Sequence, residues 1–179
     1  MYEAVNRLGG ISKDEFGNEY YTDEGMQFAV DIMDTINAVK DSYSFDYSIN
    51  VEAVPAERCA VINCTKDKLL YPDAHIERNL YGNQWIPLDV KCTLDEKIRD
   101  GSILDKKCGG GQICHINSDG PFTDEEQSWK LLNYIASKGV IYFAYNIKIS
   151  TCENGHGFIG DTCPTCGKPV VDTYQRVVG

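Results

Sequence analysis

Four side chains near the end of the chain constrain it more than any hydrophobic run: Cys152 and His156 in one short segment, Cys163 and Cys166 in the next. In Cys163-Pro-Thr-Cys166-Gly-Lys168, two thiolates separated by two residues reach one metal ion, and the glycine permits the positive backbone angle of such a turn. A structural zinc site requires four ligands. Cys163 and Cys166 supply two, Cys152 is a natural third, and His156 is the best fourth, with a water, Cys108 or Cys114 as alternatives. Such a set folds as a ribbon, with one ligand pair on each of two tight turns. The competing readings are a redox dithiol and an unmetallated turn. A redox Cys-x-x-Cys usually opens a helix after a strand, whereas Gly-Lys-Pro follows here and cannot propagate one. A closed four-ligand site has no open coordination position, so the metal is expected to be structural, not catalytic.

The chain has 179 residues, 42% of them hydrophobic, which is enough for a core and compatible with one domain plus a small appendage. Its formal net charge of -10 argues against general nucleic-acid or anionic-membrane binding, though not against one nucleotide in a local pocket. No apolar run approaches the roughly 18 residues of a membrane helix. The opening MYEAVNRLGG lacks the apolar core of a secretory signal. A cytoplasmic location is therefore expected, where eight cysteines are thiols or metal ligands rather than disulfides.

Periodicity divides the chain. Residues 1–21 read as an irregular lead-in broken by Gly9, Gly10 and Gly17. Thr22 caps a helix with apolar positions from Met26 to Val39. Alternation at Phe45, Tyr47, Ile49 and Val51 predicts a strand over 45–54, and Pro55 then opens a helix ending at Pro72. Residues 73–91 are mostly loop. Thr93-Leu-Asp-Glu96 and Thr123-Asp-Glu-Glu126 are capping boxes; the first opens a helix predicted to stop near Gly101, the second a helix that stops at Gly139. Cys108 to His115 is a glycine-rich turn leading into a strand, Gly109-Gly-Gly111 being a tight turn rather than a phosphate loop, since it lacks the lysine. Val140–Ile149 is a strand, and Val170–Val178 is extended. Cys59, Cys64 and Cys92 are expected as buried thiols, His75 and His115 as structural histidines. Strands alternating with helices indicate an α/β fold.

Several segments carry a family likeness. Asn50-Val-Glu-Ala-Val-Pro-Ala-Glu57, Tyr81-Gly-Asn-Gln-Trp-Ile-Pro87, Gly109-Gly-Gly-Gln-Ile-Cys-His115 and Tyr142-Phe-Ala-Tyr-Asn146 precede the cysteine module, and Asp172-Thr-Tyr-Gln-Arg-Val-Val-Gly179 follows it. In this order, from about Thr22 to Gly179, the chain resembles the carboxyl-terminal part of anaerobic (class III) ribonucleoside-triphosphate reductases. The resemblance implies a partial ten-stranded α/β barrel of the glycyl-radical-enzyme type over 22–150, a zinc ribbon over 151–169 and a glycyl-radical loop over 170–179. It implies reduction of ribonucleoside triphosphates to deoxyribonucleoside triphosphates, a homodimeric parent enzyme, and a radical on Gly179 installed by an S-adenosylmethionine-dependent iron–sulfur activase. It places substrate phosphates at Ala53, Val54, Pro55, Ala56 and Glu57, where the residues also read as a strand end feeding a helix N-terminus. A plain strand-to-helix turn is the equal alternative.

The chain departs from the family where it lacks a segment matching the loop that carries the thiyl cysteine, the ATP-cone and the specificity site, and where it stops on the glycine. On its own it is expected to be inactive, as a fragment, a split-gene product or a product of oxygen cleavage. The alternatives to a reductase part are a stand-alone zinc-ribbon interaction module and a spare glycyl-radical subunit.

Overall fold

The computed structural model describes residues 1–53, 57–118, 120, 122 and 124–175. Residues 1–21 are not irregular: α1 (Tyr2–Arg7) is followed by an antiparallel hairpin of β1 (Ile11–Lys13) and β2 (Glu19–Tyr21). The Asp14 carboxylate accepts the Phe16 and Asn18 N–H groups at 2.9 and 2.8 Å and closes the hairpin turn. Tyr2 and Tyr21 meet edge to face at 5.9 Å, and Val5 is fully buried. These elements are too short to show a period in sequence; burial against the rest of the chain orders them.

The long helix α2 (Asp23–Ser42) starts where expected, with Thr22 Oγ1 accepting the Gly25 N–H at 3.0 Å. It buries Gly25, Ala29 and Met33. With Tyr2, Val5, Tyr21, Ile86, Leu104 and Cys108, Ala29 and Met33 form the first core.

The strand expected over 45–54 does not form in the described part of that segment. Tyr43, Phe45 and Tyr47 instead stack on one another, at 5.8 and 5.1 Å, and remain largely exposed. Only Glu52 makes a bridge, to Gly111. Alternation describes a half-buried strand only if a neighbour supplies the ladder, and these aromatics find partners in each other.

Helix α3 (Glu57–Leu70) ends before a 3-10 turn at Pro72–Ala74. Helix α4 (Leu94–Asp105) carries the full Thr93–Glu96 capping box, but runs past Gly101 to Asp105. Burial of Leu104 outweighs the modest helix cost of one glycine.

Strand β3 (Cys114–Asn117), α5 (Glu125–Lys138) and β4 (Phe143–Asn146) make one β-α-β unit, its strands parallel from Cys114↔Phe143 to Asn117↔Asn146. Helix α5 is capped by Asp124, which accepts the Gln127 N–H at 2.7 Å; Thr123 of the expected box lies outside the described residues. One face of the ladder packs Cys114, Ile116, Phe143 and Tyr145 against Ile98, Ile135 and Val140, the second core. The other carries polar groups: the Asn146 carboxamide lies 3.3 Å from His115 Nδ1 and donates to Asn117 at 2.9 Å. The fold is thus mixed helix and strand with a parallel α/β unit, as expected.

The predicted strand over 140–149 ends with β4, because β5 (Ile149–Cys152) belongs to a separate sheet. That sheet is antiparallel, ordered β6-β5-β7, with β6 (Gly157–Phe158) and β7 (Val170–Tyr174). The ribbon therefore includes residues 170–174, which sequence reading assigned to the loop beyond it.

Candidate functional site

Two tight turns of this ribbon bring the predicted ligands together. In the first, the Gly155 N–H bonds the Cys152 carbonyl at 2.8 Å; in the second, the Gly167 N–H bonds the Cys163 carbonyl at 2.8 Å. Both glycines have positive φ, 75° and 71°, which a side chain would oppose. Gly167 is the glycine singled out in sequence; Gly155 plays the same part in the other turn.

The ligand atoms of Cys152, His156, Cys163 and Cys166 all lie within 4.8 Å of one another. His156 Nδ1 sits 3.6 Å from Cys152 Sγ and 3.5 Å from Cys163 Sγ, and Cys152 Sγ lies 3.6 Å from Cys166 Sγ. A tetrahedral zinc with Zn–S near 2.3 Å and Zn–N near 2.0–2.1 Å sets its ligands about 3.8 Å (S to S) and about 3.6 Å (S to N) apart. The donor set fits such an ion. Cys108 and Cys114, the alternative fourth ligands, are buried in the first and second cores instead.

The turn backbone favours thiolates. Burial pushes the Cys163 thiol up, but the Cys166 and Thr165 N–H groups outweigh it and hold the pKa at about 7. Cys152 is lowered in the same way, with burial opposed by the N–H groups of His156 and Asn154. At Cys166 the Lys168 N–H lowers the pKa, yet burial and the neighbouring sulfurs raise it on balance.

Of the predicted phosphate segment, Ala53 borders a cavity of about 370 Å³. Ala53 lines it, but its N–H is already spent on the Gly111 carbonyl at 3.2 Å and cannot serve an anion. Glu57 opens α3; Val54, Pro55 and Ala56 lie outside the described residues, as does Gly179. The Gly109-Gly-Gly111 turn backs this segment, with the Gly110 N–H donating to the Val51 carbonyl at 2.7 Å. It is a tight turn packed on a neighbouring strand of backbone, as the missing lysine implied.

Sequence reading missed the rest of the cavity wall. Met33 and Ile36 come from α2, Asn63 from α3, and Asn83, Gln84 and Trp85 from the connecting loop. No local pattern marks residues that meet from so many separate segments. Cys59, expected to be buried, is exposed and lines the same cavity; Cys64 is buried and Cys92 half-buried. The Tyr81 hydroxyl, at the rim, donates to Asp67 at 2.7 Å, which pushes its pKa up to about 12 and keeps it neutral.

The family model for anaerobic ribonucleoside-triphosphate reductase matches residues 1–179. The chain belongs to that family. The match takes in residues 1–21, which had shown no likeness by motif. Solved structures agree. An anaerobic ribonucleotide reductase is 39% identical, with a TM-score of 0.87 over 99% of this chain and 28% of its own. The Thermotoga maritima anaerobic ribonucleotide reductase with glycerol in the active site is also 39% identical, with a TM-score of 0.87 over 99% of this chain and 29% of its own. The same organism's reductase in complex with dATP and CTP gives a TM-score of 0.85 at 39% identity over the same shares. The chain thus spans less than a third of the reductases it matches. A comparison with curated proteins found no match. Among the described residues, no helix is long and apolar enough to cross a membrane.

Proposed function

We propose that this chain forms part of a cytoplasmic anaerobic reductase that converts ribonucleoside triphosphates to deoxyribonucleoside triphosphates, and that it contributes a structural zinc site, a substrate-binding segment and the radical-bearing glycine. The observation that carries this reading is the 39% identity to anaerobic reductases over 99% of the chain. Support for nucleotide binding comes from the relative solved with dATP and CTP. The barrel, of which β3-α5-β4 would be one unit, and a homodimeric assembly follow from the same kinship.

Cys152, His156, Cys163 and Cys166 would hold the zinc, which supplies cross-linking of the two ribbon turns and no open position for chemistry. The ribbon sheet ends in β7, so this closed site would anchor the segment that leads to Gly179. Glycine is the residue type suited to a backbone radical: its α-carbon is unhindered, and no side chain twists it out of the amide plane. The activase, using S-adenosylmethionine, would remove one of its two α-hydrogens. Residues 53–57 would receive the substrate phosphates, with the start of α3 supplying N–H groups beyond the one Ala53 has already used.

The test is the native protein isolated without oxygen, incubated with its activase and S-adenosylmethionine. A paramagnetic signal that changes on α-deuteration of glycine, is absent in Gly179→Ala, and accompanies deoxyribonucleotide formation from ribonucleoside triphosphates is the expected result. Absence of both signal and product from folded, zinc-loaded protein, with an activase shown to cleave S-adenosylmethionine, would overturn the reading.

A further inference from the structure

Asn154-Gly155 is the chain's one Asn-Gly pair, and it lies between two of the proposed zinc ligands, Cys152 and His156. Asparagine before glycine is the pairing most open to deamidation, because no side chain on the second residue shields its amide nitrogen from the carboxamide of the first. Both residues are exposed to water. The turn itself demands the glycine, whose φ of 75° a side chain would oppose. Asn154 is also tied to its place. Its side chain favours the Cys166 thiolate by hydrogen bonding, and its Oδ1 accepts from Lys168 Nζ at 3.4 Å. The carboxamide therefore joins the first ribbon turn to the second.

In that arrangement neither reacting group is free. The Gly155 N–H is given to the Cys152 carbonyl at 2.8 Å, and the carboxamide is held against the other turn. Both restraints belong to turns that the zinc would cross-link. Little apolar burial remains to hold them once the ion leaves, since Cys152, Cys163 and Cys166 make up much of the ribbon's core. In a loosened turn, Gly155 N can bond to Asn154 Cγ. The Cγ–Nδ2 bond breaks, ammonia leaves with the N–H proton, and a cyclic imide remains. Water then opens the imide to aspartate or, through the other carbonyl, to isoaspartate. Ammonia is exchanged for water, and nothing is oxidised or reduced.

We propose that Asn154 is a deamidation site which bound zinc holds shut, so that a chain losing its metal is converted to a form that cannot reload. The inference rests on the zinc reading above. Conversion replaces the N–H donor facing Cys166 with a carboxylate, whose charge opposes the thiolates that zinc needs. Isoaspartate also adds a backbone atom between Cys152 and His156, which pulls the ligand spacing out of register. Changes beside the ligands of a metal site cost about 10- to 100-fold in affinity. The step does not reverse by itself, so it marks metal-free chains permanently.

The experiment divides the native protein, isolated without oxygen, between a zinc-loaded sample and one stripped with a chelator, both kept at neutral pH. Peptide mass spectrometry follows the exchange of amide for acid at Asn154, and zinc is then returned to each sample. Conversion should run at least about 3- to 10-fold faster in the stripped sample, the worth of the hydrogen bond that withholds Gly155 N. Zinc uptake should fall in step with conversion. Asn154→Gln, whose longer side chain closes an imide far more slowly, should reload throughout, and Asn154→Asp should bind zinc about 10-fold more weakly from the start. Equal conversion in the two samples, none in either, full zinc uptake by the converted chain, or equal loss of uptake by Asn154→Gln would overturn the proposal and leave the zinc reading intact. A freshly isolated protein that binds no zinc would overturn both.

Discussion

His156 is the proposed ligand that composition distinguishes least, and its Nδ1 lies 3.5–3.6 Å from two of the three sulfurs. Even changes around a ligand cost such sites about 10- to 100-fold in metal affinity, so His156→Ala should lose more than tenfold. His156→Cys should retain zinc, because four thiolates are an accepted set. Competition with a chromophoric chelator measures both, and equal retention by the alanine variant would remove His156 from the site. Asp105 poses a different question. Burial raises its carboxyl pKa, and the Trp85 indole N–H, donated at 2.7 Å, only partly offsets this. A raised folded-state pKa means that the folded protein holds the proton more tightly than the unfolded chain. This contribution to stability is therefore greatest below the unfolded value and is lost as pH rises through the folded one. Asp105→Asn should flatten that part of the stability–pH curve while keeping an acceptor for Trp85; denaturation at a series of pH values tests it, and an unaltered curve would contradict the assignment.

Helix α4 depends on its first turn, where the Thr93 hydroxyl accepts the Glu96 N–H at 3.1 Å and the Glu96 carboxylate accepts the Thr93 N–H at 2.9 Å. Thr93→Ala should cost about 1 kcal/mol in urea denaturation. The glycine turn before β3 works through contact rather than capping. A Cβ on Gly110 would stand 2.9 Å from Glu52 Cβ and 3.0 Å from the Val51 carbonyl oxygen, both parts of the segment that leads to α3. Gly110→Ala should therefore displace the cavity wall, and weaken nucleotide binding more than it lowers zinc content. Loss of zinc in step with nucleotide would show general misfolding instead.

The ribbon has its own small core of Cys152, Phe158 and Cys163, with Cys166 and Val170 against it, distinct from the two cores that hold the helices. Three of those residues are proposed metal ligands, so little apolar burial remains to order the sheet without the ion. Chelation should raise amide exchange across residues 149–174 and leave α2 and α4 protected. Uniform loss of protection would mean that the ribbon supports the whole fold.

Residues close in sequence carried most of what could be read directly. The Cys/His cluster, the caps of α2 and α4 and the order of helices depend on spacings of a few residues, which the chain states outright. The misread parts need distant partners. The lead-in folds because Tyr2 and Val5 are buried against Tyr21 and α2. The alternating 45–54 segment gains no ladder, so its aromatics stack instead. The cavity gathers Met33, Gln84 and Gln112 from separate elements. Local spacing fixes hydrogen bonds within a turn, whereas burial is a property of which surfaces meet, and that is settled when the chain closes on itself.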